Sequence, residues 1–161
     1  MDYLISLLVG FLLSFFGGTG IPVEEQVPAP VTVEVVEVID GDTIRVMIEG
    51  EVESVRYIGI DTPEPYQNKE PDCYSLEASA RNKELVEGKV VTLVSDVEDR
   101  DKYDRLLRYI YVDDIFVNEV LVKEGHAKTL SIPPNTQYSS VFKSATDKAR
   151  EEGLGLWSVC E

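Results

Sequence analysis

Four polar clusters in this chain have residue types and spacing suited to chemistry on a phosphate. They are Asp40-Gly41-Asp42-Thr43, Arg56, Asp61-Thr62-Pro63-Glu64 and Asp101-Lys102-Tyr103-Asp104-Arg105. Asp42 and Asp61 offer carboxylate oxygens, the donors that hard cations need. Arg56 stands among Tyr57, Ile58 and Ile60, where a guanidinium needs a partner. Singly, each cluster has a plainer reading: a hairpin turn, a buried ion-pair partner, a strand terminator and a charged loop. Together they point to metal-assisted chemistry, in which a cation and planar guanidinium forks stabilise charge on phosphate oxygens.

Such clusters do chemistry when a rigid frame brings them together, and here each falls at or within a strand. Residues 31–39 alternate as a strand, with a slip in parity at Val35 and Val36 that calls for a bulge. Asp40-Gly41-Asp42 turns the chain into a second strand, 43–48, with Ile44, Val46 and Ile48 on one face. Glu49-Gly50-Glu51 closes a hairpin onto a third strand, 52–60, in which Arg56, Ile58 and Ile60 share a parity. Pro63 and Pro65 forbid its continuation. Ser75 is placed to cap a helix over 76–87, with Leu76, Ala80 and Lys83 on one stripe and Gly88 as its stop. Strands at 89–94 and 105–112 flank a charged loop, 96–103. Helices follow at 118–124 and 138–152, the latter carrying Phe142, Ala145 and Ala149 on one face, and Leu156 and Trp157 fold back on the core. This order predicts an α+β fold: a five-stranded OB-type β-barrel with three helices packed around it. An open five-stranded sheet with helices on one side is the alternative.

The 161 residues suit one folded domain, expected over 31–161. Residues 22–30 read as a proline-containing linker. Residues 1–21 read as a signal peptide or an N-terminal membrane anchor. The apolar stretch at 3–16 is short for a bilayer span of roughly 20 residues, and a tether would draw on residues 3–20. Either way the protein is expected to be exported, and then secreted or anchored on the outer face of the cytoplasmic membrane. The formal charge is −15. Asp2, Glu24 and Glu25 precede residue 31 and no lysine or arginine does, so the domain holds 27 acidic and 15 basic side chains, a net −12. That sign excludes tight, long-footprint, non-specific DNA binding, but not a small cleft where local cations hold one phosphate. Cys73 and Cys160 are the two cysteines. In a cytosolic protein they would be independent thiols; behind an export segment they suggest one disulfide joining the C-terminal tail to the loop before the first helix.

VIDGDTIRV at 38–46, RYIGIDTPE at 56–64 and DKYDRLLRYIY at 101–111 resemble the thermonuclease family, the staphylococcal nuclease-like enzymes. The likeness continues through EASA at 77–80, NEVLVKEGHAK at 118–128 and LGLWS at 154–158, covering nearly all of 31–158. It implies an OB-type barrel and a calcium-dependent nuclease that hydrolyses phosphodiester bonds of DNA and RNA, single strands included, leaving 3′-phosphates. By the same resemblance Asp42 and Asp61 bind Ca2+ and Thr62 adds its backbone carbonyl, with Asp40 supporting the site through water. Arg56 and Arg105 grip the phosphate, Glu64 acts as general base, and Lys102 and Tyr103 contact phosphate. These side chains are then expected to surround one pocket. A monomer without an organic cofactor is implied. The chain departs from the family pattern in three places. Thr129 to Pro133 stand where tyrosines often face the base, Asp104 replaces a frequent glycine and is placed either to pair with Lys102 or Arg108 or to weaken phosphate binding, and the domain is acidic. Tyr74 is a candidate substitute aromatic contact, and His126 reads as a packing residue. The competing function is a catalytically weak nucleic-acid-binding OB-type module. Such modules usually lack the charged set that this chain keeps.

Overall fold

The computed structural model describes residues 29–66 and 70–160. The expected signal or anchor, and the linker up to residue 28, lie outside the described residues. Among the described residues no helix is long and apolar enough to cross a membrane.

Strands β1 (Val31–Val38), β2 (Thr43–Ile48) and β3 (Glu51–Tyr57) form an antiparallel meander. Val33, Val35, Ile44, Val46, Val55 and Tyr57 point from it into the core. The expected bulge is present: pairing jumps from Val35↔Val46 to Glu37↔Arg45, and Val36 turns to solvent. The third strand is shorter than predicted. It ends at Tyr57, because Gly59 turns the chain at φ +81° where a Cβ would sit 2.4 Å from the Phe142 ring. Ile60–Asp61 then forms a separate strand, β4. The parity count that grouped Arg56 with Ile58 and Ile60 therefore fails at this turn. Up to Tyr57 it holds: Arg56 alternates with the buried Val55 and Tyr57, and its side chain is 12% exposed.

Helix α1 (Ser75–Val86) follows. Its buried face is Ser75, Ala78, Asn82, Leu85 and Val86, not the predicted stripe, and Leu76 is 56% exposed. Ser75 is inside the helix and does not cap it; Tyr74 occupies the cap position at φ 68° with no side-chain bond. Strand β5 (Val90–Val94) pairs with β1, and β6 (Leu106–Val112) pairs with β5. A parallel pairing of β3 with β6 closes the sheet on itself, giving the expected five-stranded OB-type barrel. Two short strands escaped the sequence reading: β7 (Ile115–Phe116) pairs with β6, and β8 (Lys128–Thr129) pairs with β4.

Helices α2 (Val117–Lys123) and α3 (Ser139–Glu151) cover one side of the barrel, and Phe142, Ala145 and Ala149 of α3 are buried as expected. A knot of rings from Tyr109, Phe116, Tyr138 and Phe142, with centroids 4.7–6.3 Å apart, joins α3 to β6. The short helix α4 (Leu156–Val159) buries Leu156. Cys160 just beyond it is bonded to Cys73, with Cα atoms 5.8 Å apart, so the disulfide alternative holds.

Candidate active site

The turn between β1 and β2 presents Asp42, whose side chain is fully buried. Asp42 Oδ2 accepts the Thr62 N–H at 2.7 Å and the Thr62 hydroxyl at 3.0 Å, and lies 2.9 Å from Arg56 Nη1. Gly41 makes this approach feasible, since a Cβ there would lie 2.6 Å from Thr62 Oγ1. The turn is braced from below. Asp42 N–H donates to Asp40 Oδ1 at 2.9 Å, and Asn82 Nδ2 donates to the Asp40 carbonyl at 2.8 Å. Tyr57 O–H in turn donates to Asn82 Oδ1 at 2.9 Å.

Arg56 is the hub. Its Nη1 also donates to the carbonyls of Tyr57 and Ile60, at 3.1 and 3.0 Å, and its Nη2 donates to Asp61 Oδ1 at 2.8 Å. The carbonyl contacts fix the plane of the guanidinium, and the two carboxylates neutralise it. Asp61 reaches this position because β4 pairs with β8, Asp61 opposite Lys128. Burial pushes the Asp42 carboxyl up to about 7, against the pull of Arg56 and the Thr62 bonds, with Asp40 adding to the rise. Burial also raises Glu64; Asp40 and Asp61 raise it further, while Arg56 and Arg105 oppose them. Glu64 thus shares one electrostatic environment with Asp40, Arg56, Asp61 and Arg105.

Arg105 precedes β6 at the end of the charged loop. Asp101 holds it in a fork, from Nε at 2.8 Å and from Nη2 at 2.7 Å. Asp101 Oδ1 also accepts the N–H groups of Tyr103 and Arg105 at 2.9 and 3.0 Å. Lys102 and the exposed Tyr103 stand beside it, with Lys102 Nζ 4.9 Å and the Arg105 guanidinium 5.5 Å from the Tyr103 ring centre. Asp104 adopts φ 66°, a conformation that glycine takes without strain and aspartate tolerates. Its carboxylate lies 3.6 Å from Arg100, and not on Lys102 or Arg108 as expected; Arg108 is held by Asp99 at 2.6 Å.

The structure distributes the expected single pocket over two cavities. Arg56, Lys102, Tyr103 and Arg105 line one of about 380 Å³, with Leu130 and Ile132 supplying an apolar wall where tyrosines were missed. Asp61, Thr62 and Glu64 line the other, of about 360 Å³. The Arg56–Asp61 contact joins them. Tyr74 is not part of either lining: it stacks on His126 with ring centres 5.4 Å apart, which makes both packing residues. Asn82 and Asn118 were missed. Asn118 is buried, donates to the Ile58 carbonyl at 2.9 Å and accepts the Ile110 N–H at 2.9 Å, so it pins the turn that follows Arg56. The available signal was positional: both asparagines fall on the apolar face of a helix.

Among the described residues, no group of three or more His, Cys, Asp or Glu side chains is gathered as a metal centre. The donors at hand are Asp42 and Asp61, drawn together by one guanidinium, with Thr62 between them and the turn. An all-oxygen set of this kind fits a hard divalent cation. The buried Asp42 charge is one that a cation would stabilise.

The family model described as staphylococcal nuclease homologue matches residues 54–159. Endonuclease YncB of Bacillus subtilis (strain 168) is 41% identical over 145 residues, 86% of this chain and 67% of that protein. The SPbeta prophage-derived endonuclease YokF of the same strain is 47% identical over 126 residues, 74% of this chain but 42% of that protein, so the chain spans under half of that relative. Thermonuclease of Staphylococcus intermedius is 39% identical over 121 residues, 74% of this chain and 72% of that protein.

Proposed function

This chain belongs to the staphylococcal nuclease family, and from that premise we propose that it is a calcium-dependent nuclease hydrolysing phosphodiester bonds of DNA and RNA to leave 3′-phosphates. The observation that carries the reading is the convergence of Asp42 and Asp61 on Arg56, with Glu64 in the same field and Arg105 across the shared cleft. In this reading Asp42, Asp61 and the Thr62 carbonyl hold the cation, which when bound polarises the phosphate and neutralises charge that develops on it. Arg56 and Arg105 bind phosphate oxygens, and Lys102 and Tyr103 contact a neighbouring phosphate at the cleft mouth. The network behind Arg56 presets its orientation, so little reorganisation is needed when the anion arrives. Glu64 orients the attacking water and takes its proton, and its raised pKa brings it nearer to a working base at neutral pH. Leu130 and Ile132 give the base an apolar wall without ring stacking. The disulfide and the apolar segment at 3–16 support export, with the released or tethered form decided by whether that segment is cleaved.

The test is cleavage of single-stranded DNA and RNA with calcium and with a chelator, beside Glu64→Ala and Arg105→Ala. Chelation is expected to abolish cleavage, and each variant to lose about 10²-fold or more. Full activity in chelator, or two variants that cut like wild type, would overturn the reading.

A further inference from the structure

We propose that Asp72 and the Cys73–Cys160 disulfide are positioning residues for Glu64, so that the bond between the two cysteines sets the turnover of this site. The inference rests on the role given to Glu64 above. Glu64 lies between Pro63 and Pro65, past the end of β4, and neither strand nor helix holds it. Its main chain is fixed instead by a reciprocal pair: Glu64 N–H donates to Asp72 Oδ2 at 3.3 Å, and Asp72 N–H donates to the Glu64 carbonyl at 3.0 Å. The Asp72 carbonyl accepts Ser75 N–H at 3.1 Å, which ties the pair to the first residue of α1. Cys73 is the next residue, and the disulfide carries the restraint to Cys160. From there it reaches the core, because Cys160 N–H donates to the Leu156 carbonyl and Leu156 N–H donates to the Gly125 carbonyl, each at 2.9 Å. Glu64, Asp72, Cys73 and Cys160 face one cavity.

A catalytic carboxylate displaced by about 1 Å can lose roughly 10²-fold in rate. Freeing Cys73 loosens Asp72, and through it the backbone that aims Glu64. Dithiothreitol is the probe: it gives two electrons and two protons to the S–S bond, leaving two thiols and becoming a cyclic disulfide. With the full chain, calcium and single-stranded DNA, reduction is expected to lower kcat about 10- to 100-fold with little change in KM. Asp72→Ala should do the same, while Asp72→Asn keeps an acceptor oxygen for Glu64 N–H and retains most of kcat. In Glu64→Ala, reduction should cause no further loss. Circular dichroism at the assay temperature monitors folding; if the reduced chain unfolds, the Asp72→Ala and Asp72→Asn comparison decides. An impaired Glu64→Ala beside a wild type insensitive to reduction overturns this proposal alone, as does an equal loss on reduction in both. A Glu64→Ala protein as active as wild type overturns the role of Glu64 and the proposal with it.

Discussion

Arg56 is the residue on which both stability and proposed chemistry turn. Among the described residues it is the ion-pair partner of the fully buried Asp42. Replacing it strands a buried carboxylate, so Arg56→Ala is expected to destabilise the fold by about 3–5 kcal/mol as well as remove activity, read from the urea midpoint. Arg56→Lys keeps a charge but cannot bridge two carboxylates and two carbonyls, and should recover only part of that loss. Gly41→Ala forces Thr62 away from Asp42 and is expected to cost about 1–3 kcal/mol in the same assay. At this scale the sequence was most legible for charge. An arginine inside an apolar strand and two carboxylates beside turns are conspicuous, and the structure places them together. Asn82 and Asn118 carried only a positional signal, and it was missed because an asparagine in a helix reads as a solvent-facing residue until the direction of that helix is known.

The loop and helix elements show what periodicity conveys and what it leaves out. The barrel strands could be read from alternation, including the bulge in β1. The break at Gly59 could not, because what demands a glycine there, a positive φ with the Phe142 ring of α3 against it, exists only in the folded chain. The face of α1 was misjudged for a related reason: its buried stripe carries Ser75 and Asn82, so apolar residues alone did not mark it. Asn118 joins α2 to both β6 and the turn after β3. Asn118→Ala is expected to destabilise by about 1–3 kcal/mol for each backbone group left unpaired, with faster amide exchange at Ile110. The Asp101 loop carries a pH signature. Burial works to raise the Asp101 carboxyl, but bonds from the Arg105 N–H, the Arg105 side chain and the Tyr103 N–H outweigh it and hold the pKa below its ordinary 3.8. Its folded pKa is the lower one, so its contribution is complete above the ordinary value and is lost as pH falls through the lowered one. Stability measured across that acid range should fall less steeply in Asp101→Asn.

The whole molecule is acidic, with a net charge of −15, while its proposed phosphate grip rests on Arg56, Lys102 and Arg105. Two or three phosphate contacts predict a shallow dependence of binding on salt, with a slope of about −2 in log K against log salt for single-stranded DNA. Fluorescence anisotropy of a catalytically silenced Glu64→Ala chain would measure it, and a slope steeper than about −4 would reveal a broader basic footprint. Fold class was legible at this scale because element order suggested a closed barrel over an open sheet and the family resemblance implied the same. How the barrel closes was not, since no local pattern tells a strand which distant strand it will meet.

That closure has a consequence in time. Arg56 and Arg105 are brought together where β3 and β6 pair in parallel, with Val55 against Leu106 and Arg56 against Leu107. Pairings between distant segments form late, since the chain must surrender loop entropy before any contact rewards it. The nascent polypeptide is therefore expected to be inert until its final seam is zipped, and in a refolding experiment cleavage should reappear with the slowest phase. A chain able to cut nucleic acid would then pass through synthesis harmless to the cell that makes it.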